Sequence, residues 1–297
     1  MPFLLSKPTR VPYAELFVVI FLLFALYRPL PFWPKGEKQK IIGVLFSDSG
    51  LGDVGKWVVA KALKQNFAVR AISTSLYETP ATFYQAASVT PIALGRDEEL
   101  EHLSFHTVAL SSVNATTELT ELFKGADGIV VAAWSRQLGH PREAAFGMPK
   151  VVSAAAAAQV SRLVMLSSSI FFGREWVCGG VCGGAPRFLK AALDVLIKIP
   201  FGSVFRDLAA AEAALQGSAL DYAILRPCGL DPTEPPCGPE GIRSHPRGEE
   251  PPERWSVAVA KEDVADACLR ELTKPGARRA TLCIGRVLEE GTSGMQK

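Results

Sequence analysis

From Lys40 onward, short unbroken apolar runs alternate with longer stretches in which apolar residues recur every three or four positions. The first kind of run predicts strands covered on both faces, and the second predicts helices with one face on a core. Strands are expected over 41–46 (IIGVLF), 68–73, 107–110, 126–133, 162–167, 221–225 and 281–285. Helices are expected over 54–65, 77–87, 117–123, 150–160, 190–198, 205–217 and 262–273. Gly125, after Lys124, suits the left-handed position that ends the helix at Phe123. Strand and helix alternating over this length predict an α/β fold, a doubly wound parallel sheet with helices on both faces. Residues 231–253 are dense in proline, glycine and charge and are expected to form a loop or lid at the sheet edge.

The N-terminus follows another pattern. Residues 16–27 (LFVVIFLLFALY) are unbroken apolar, extendable back to Val11 across Glu15, with Lys7 and Arg10 before them and Arg28 and Lys35 after. A membrane-crossing helix needs about 20 apolar residues, so the run is of marginal length. Tyr13, Tyr27, Phe32 and Trp33 flank it as aromatic residues do at a membrane boundary. The expectation is an uncleaved N-terminal hydrophobic helix anchoring segment 11–33 at a membrane. The alternative is a leader removed on entry to a plastid or mitochondrion. The domain plan is an anchor or leader with its linker over 1–39, the globular domain over 40–290 and a tail over 291–297.

The first strand runs into Ser47-Asp48-Ser49-Gly50-Leu51-Gly52-Asp53-Val54-Gly55-Lys56 and then the apolar-periodic Trp57, Val58, Ala60 and Leu63. A glycine turn between a strand and a helix lets main-chain N–H groups approach a pyrophosphate at Gly50 and Gly52. Gly55 lets the helix pack closely on the strand. The placement of this G-x-G-x-x-G, more than the string itself, predicts a Rossmann-type dinucleotide-binding domain.

With 297 residues and 48% hydrophobic content the chain can bury a full core. The net charge of +2 and the absence of a Lys/Arg cluster argue against nucleic acid as a partner. The six cysteines are scattered; Cys178 and Cys182 lack the second pair of ligands that a zinc site needs, so no metal is expected.

Several segments, in order, resemble the atypical short-chain dehydrogenase/reductase superfamily, in its NmrA-like, NAD(P)-binding branch. They are the glycine turn, Lys124-Gly125-Ala126-Asp127, the run RLVMLSS from Arg162 to Ser168, Ala211-Glu212, the run SALDYAILRPCGL from Ser218 to Leu230, and Lys261-Glu262-Asp263-Val264-Ala265. The likeness spans about residues 41–285. It implies NADP or NAD as cofactor, with the pyrophosphate at Ser49, Gly50, Gly52, Asp53, Val54 and Gly55. It implies the adenine ribose at Ser73 and Thr74, and the adenine at Ser112 and Val113. Ala132 and Ala133 would lie under the cofactor, with Ser167 and Ser168 near the nicotinamide and Pro227 and Gly229 beside it. Plain sheet packing is the competing reading of Ala132 and Ala133, and for Arg226 it is pairing with a core carboxylate.

The chain departs from that pattern in instructive ways. Ser49 replaces the leading glycine, and Asp48 and Asp53 bring negative charge to a site for diphosphate unless they point outward or cap the helix. Lys56 is a candidate for the phosphate and Glu78 for the ribose, which leaves NAD against NADP open. No Tyr-x-x-x-Lys follows the fifth strand, and relatives often keep lysine where this chain has Leu208. Ser168 is the candidate catalytic residue; Lys190, Lys198 and Tyr222 are substitutes for the missing proton donor. Three functions follow from these features: an NAD(P)H-dependent oxidoreductase acting on a small, unknown substrate; a non-catalytic, membrane-tethered NAD(P)-binding redox sensor or assembly scaffold; and a domain that has lost the cofactor.

Overall fold

The computed structural model describes residues 39–47, 52–74, 101–133, 143–168, 202–204, 206–227, 229–230, 235–246, 255–256, 258–276 and 279–287. The chain divides into two units, Met1–Lys38 and Gln39–Lys297. The apolar N-terminal run lies in the first, outside the described residues. Among the described residues no helix is long and apolar enough to cross a membrane.

The second unit is built on β1 (Ile41–Phe46), α1 (Gly52–Lys64), β2 (Ala68–Ser73), β3 (Leu103–Thr107), α2 (Ala115–Phe123), β4 (Gly128–Ala132), α3 (Glu143–Ala157) and β5 (Leu163–Leu166). There follow α4 (206–216), β6 (Tyr222–Pro227), β7 (Gly229–Leu230), β8 (Ile242–Pro246), β9 (Trp255–Ser256), β10 (Ala258–Val259), α5 (Lys261–Thr273) and β11 (Ala280–Val287). The main sheet has the order β3-β2-β1-β4-β5-β6-β11-β8. All neighbours from β3 to β11 are parallel. The chain leaves β1 toward β2 on one side and returns to β4 on the other, so strand order reverses between β1 and β4. That reversal opens a crevice at the C-terminal ends of the strands.

Helices cover both faces. A Cβ at Gly55 of α1 would lie 2.5 Å from the Phe46 Cβ, while one at Gly43 would meet Ile129 and, at 3.8 Å, Phe123 of α2. Positions 43 and 46 face opposite sides of a strand, so α1 and α2 are on opposite faces. Helix α5 packs beside α1, and α3 beside α2. The strands β1, β4, β5 and β6 between these layers are buried almost throughout, as their unbroken apolar sequences require. Gly125 ends α2 at φ 72°, as expected of a glycine there. Asp127 then binds β1 through both its main chain and its carboxylate, accepting from the Ile41 N–H at 2.7 Å.

Four expectations need correction. The third strand is Leu103–Thr107, not 107–110: the apolar signal at Val108 and Leu110 comes from a buried loop, whereas the true edge strand alternates polar and apolar residues. Helix α3 begins at Glu143 and not at Lys150, carrying Pro149 inside it on an exposed face. Residues 242–246, expected within a lid, form β8, antiparallel to β11 and anchored by the fully buried Ile242. The sheet is therefore mixed at that edge, with β9 also antiparallel to β11. The predicted helices at 77–87 and 190–198 lie outside the described residues.

Candidate functional site

The crevice edge is assembled by register. Phe46 at the end of β1 pairs with Ser73 on one side and Ala132 on the other. The Thr74 N–H donates to the Phe46 carbonyl at 2.8 Å, the Val108 N–H to that of Ser73 at 2.9 Å, and the Ser167 N–H to that of Leu225 at 2.8 Å. Ser73, Thr74, Ala132, Ala133, Ser167, Ser168 and Pro227 are thus aligned along one edge of one sheet. Gly52 and Asp53 open α1 at the same edge, where the helix N-terminus favours negative charge. Ser49 and Gly50 lie outside the described residues.

Close packing of α1 against β1 depends on Gly55, because any Cβ there would collide with the Phe46 Cβ and touch that of Ala132 at 3.4 Å. Val54 is fully buried. The Asp53 carboxylate is turned to Lys261 at the start of α5, with Oδ2 2.5 Å from Nζ. Its charge is thereby compensated. Lys56 is only 1% exposed, a core position on α1, and Glu78 lies outside the described residues.

Ser112 and Val113 belong to the loop between β3 and α2. Lys150 of α3 clamps it, donating to the carbonyls of Leu110 at 2.6 Å and Ser112 at 2.9 Å. Ser112 Oγ accepts the Asn114 N–H at 3.1 Å, and Val113 is left 94% exposed on the loop surface. Sequence reasoning missed Lys150, since a lysine on a helix is ordinarily a solvated residue.

The serines after β5 have different surroundings. Ser167 Oγ donates to Glu212 Oε1 of α4 at 2.6 Å, and that carboxylate also accepts from Arg226 Nε at 3.0 Å and from its Nη2. All three side chains are buried, so the two charges are paired and hydrogen-bonded as a buried ion pair must be. Arg226 therefore does pair with a core carboxylate, and the pair joins the ends of β5 and β6 to α4. Ser168 Oγ is buried without a hydrogen-bond partner among the described residues.

Tyr222, a candidate proton donor by sequence, stands at the start of β6, paired with Leu163. It is five strand residues from Pro227, about 17 Å at the rise of an extended chain, and so at the wrong edge of the sheet. Leu208, where relatives often keep lysine, is a buried core residue of α4. Lys190 and Lys198 lie outside the described residues.

Beyond Pro227, Gly229 pairs with Ala258 in a short parallel ladder of β7 and β10. Asp263 in the first turn of α5 accepts the N–H groups of Cys237 and Gly238 at 2.9 Å each and the Cys237 thiol at 3.2 Å. The run Lys261-Glu262-Asp263 thus serves both the α1 start and the 237–238 turn. Burial, reinforced by Asp263, pushes the Cys237 thiol up to about 11. Among the described residues no cluster of His, Cys, Asp or Glu could hold a metal ion; Cys178 and Cys182 lie outside them.

Comparison with known proteins agrees with this geometry. The profile of the NAD(P)H-binding family matches residues 81–275. No curated protein matches the chain by sequence. A wide-type short-chain dehydrogenase/reductase of Veillonella parvula, solved with NADP, has a similar structure at 16% identity and a TM-score of 0.57, covering 86% of this chain and 97% of that one. The oxidoreductase ylbE of Lactococcus lactis is similar at 18% identity and a TM-score of 0.55, over 84% and 91%. The anaerobillin reductase ChuY of Escherichia coli O157:H7 is similar at 22% identity and a TM-score of 0.50, over 82% and 96%. With the family match running from the segment after β2 to the end of α5, on a sheet whose order reverses beside a glycine-opened helix, the chain belongs to the NAD(P)H-binding family and takes NAD or NADP as cofactor.

Proposed function

We propose that this protein is an NAD(P)-dependent oxidoreductase that reduces or isomerises a small apolar substrate at the C-terminal edge of β4, β5 and β6. The observation that carries the reading is Ser168: its hydroxyl is fully buried, has no hydrogen-bond partner among the described residues and follows the strand end next to the expected nicotinamide position. An unpartnered buried hydroxyl costs about 1–3 kcal/mol, a cost that is relieved when a bound molecule accepts its hydrogen bond.

The residues present suit the dinucleotide. The α1 N-terminus supplies main-chain N–H groups and Lys261 balances Asp53 beside it, while Ala132 and Ala133 are buried in the sheet, Ala132 against α1. The nicotinamide, when bound, supplies or accepts a hydride. Ser168 donates a hydrogen bond to the substrate oxygen that gains negative charge. Glu212, Arg226 and Ser167 hold the ends of β5 and β6 in fixed relation, so that Ser168 and Pro227 keep their spacing. The chain has no Tyr-x-x-x-Lys pair, so the proton that balances the hydride in a reduction comes from solvent, which favours enone or quinone acceptors over simple ketones.

The test is NADPH and NADH oxidation by the purified protein against a panel of carbonyl, quinone and enone compounds. Turnover is expected, with kcat/KM reduced about a hundredfold in Ser168→Ala. Cofactor binding without turnover on any compound would overturn the catalytic reading. The apolar segment 11–33 supports a membrane tether for this activity.

A further inference from the structure

Asp53 lies in the first turn of α1 and Lys261 is the first residue of α5, on two helices that start at the same sheet edge and pack side by side. Each charge is awkward in its local setting. An acid at the α1 start suits the helix dipole but repels a diphosphate, and a lysine at the α5 start opposes the dipole of its own helix. The contact between them, 2.5 Å from Nζ to Oδ2, removes both difficulties. A solvated surface lysine would not need that position.

We infer that Lys261 is a positioning residue for the dinucleotide: by drawing the Asp53 carboxylate against α5 it cancels a charge that would otherwise repel the diphosphate. The inference rests on reading the turn from Ser49 to Gly55 as the diphosphate site. It makes cofactor affinity depend on α5, which is more than 200 residues from the glycine turn in sequence, Lys261 being 208 positions from Asp53. Asp53 and Lys261 are 35% and 25% exposed, so the pair adds little to stability, whereas its charge still reaches a ligand at the turn. Lys61 and Asp266, 2.7 Å apart, join the same helices about one to two turns further on and keep them together when Lys261 is replaced. Asp263, bound to the 237–238 turn, and Glu262 supply negative charge to the α5 N-terminus in either case.

The test is NADPH titration of the full chain at low and high salt. Lys261→Met should raise Kd about tenfold at low salt, with the gap narrowing at about 0.5 M salt, as expected for a screened charge. Lys261→Arg should bind like wild type, and Asp53→Asn as tightly or more so. The double variant Asp53→Asn/Lys261→Met should return to within about threefold of wild type, since the two positions act as one unit. Apo melting temperatures should stay close to wild type throughout. Wild-type affinity in Lys261→Met would overturn the inference. So would a double variant as weak as Lys261→Met alone, which would make Lys261 a direct phosphate ligand. Gly52→Val separates the inference from its premise. If Gly52→Val binds NADPH normally, the turn is not the diphosphate site and both fall; if it loses binding while Lys261→Met does not, only the inference falls.

Discussion

At the scale of single residues, the site depends on atoms that are missing as much as on those present. Gly55 is legible in sequence as the third glycine of the turn, and the structure supplies its reason: the Phe46 Cβ occupies the space that any side chain would need. Phe46 cannot withdraw, because it is fully buried and its ring meets Phe105 edge to face at a centroid separation of 6.1 Å. Gly55→Ala should therefore lower stability by about 1–3 kcal/mol, the usual cost of overpacking a close-packed core, measured by the urea midpoint. Because α1 must then lift from β1, the same variant should show a smaller thermal shift with NADPH than wild type. The paired partners of charged residues were less legible. Asp53 was readable as a charge near the diphosphate, but its neutralising lysine comes from a distant helix, and spacing along a chain carries no record of such a contact.

At the scale of elements, α4 is a connector. Asp207 in its first turn accepts the N–H groups of Ala144 at 3.1 Å and Ala145 at 2.7 Å, so it caps α3 from outside, while Glu212 binds the ends of β5 and β6. These two acids should behave differently. Asp207→Ala should cost about 1 kcal/mol, the ordinary value of a lost helix cap, and speed hydrogen exchange at Ala144 and Ala145. Glu212→Ala should cost about 3–5 kcal/mol, because it leaves the Arg226 guanidinium buried without its carboxylate. Equal costs would contradict this account. The cap also explains why the start of α3 was misplaced in sequence. A proline at position 149 is disfavoured inside a helix, and the acid that holds the helix start before it belongs to another element. Strand β8 was hidden for a related reason. Its residues Ile242-Arg243-Ser244-His245-Pro246 look like loop by composition, and only pairing with β11 makes them a strand. By contrast β1, β4, β5 and β6 were readable to within two residues, since burial on both faces forces an apolar run whatever the neighbours are.

At the scale of the whole molecule, titratable groups on the main sheet and on α5 couple stability to pH. Burial pushes the Cys268 thiol up to about 12, with Asp266 adding to the shift, and Cys237 rises to about 11. An unfolded thiol ionises near 9, so between pH 9 and 11 the unfolded chain gives up protons that the folded chain keeps. The unfolded state is then favoured by its own ionisation, and unfolding free energy must fall as pH rises through that window. On the acid side the sign reverses. Burial, with help from Arg70, lowers the pKa of His106 below 6.5, so the unfolded chain takes up a proton first and stability falls as pH drops below that value. Urea midpoints should therefore form a plateau near pH 7–8.5 and decline on both sides. Other groups also titrate above pH 9, so the cysteine share is isolated by Cys268→Ala. That variant loses stability at pH 7.5 through its smaller side chain, yet its decline from pH 8 to pH 10.5 should be shallower than that of wild type. Parallel declines would mean that the Cys268 thiol is not held neutral by the core, and would remove the coupling between α5 packing and alkaline stability.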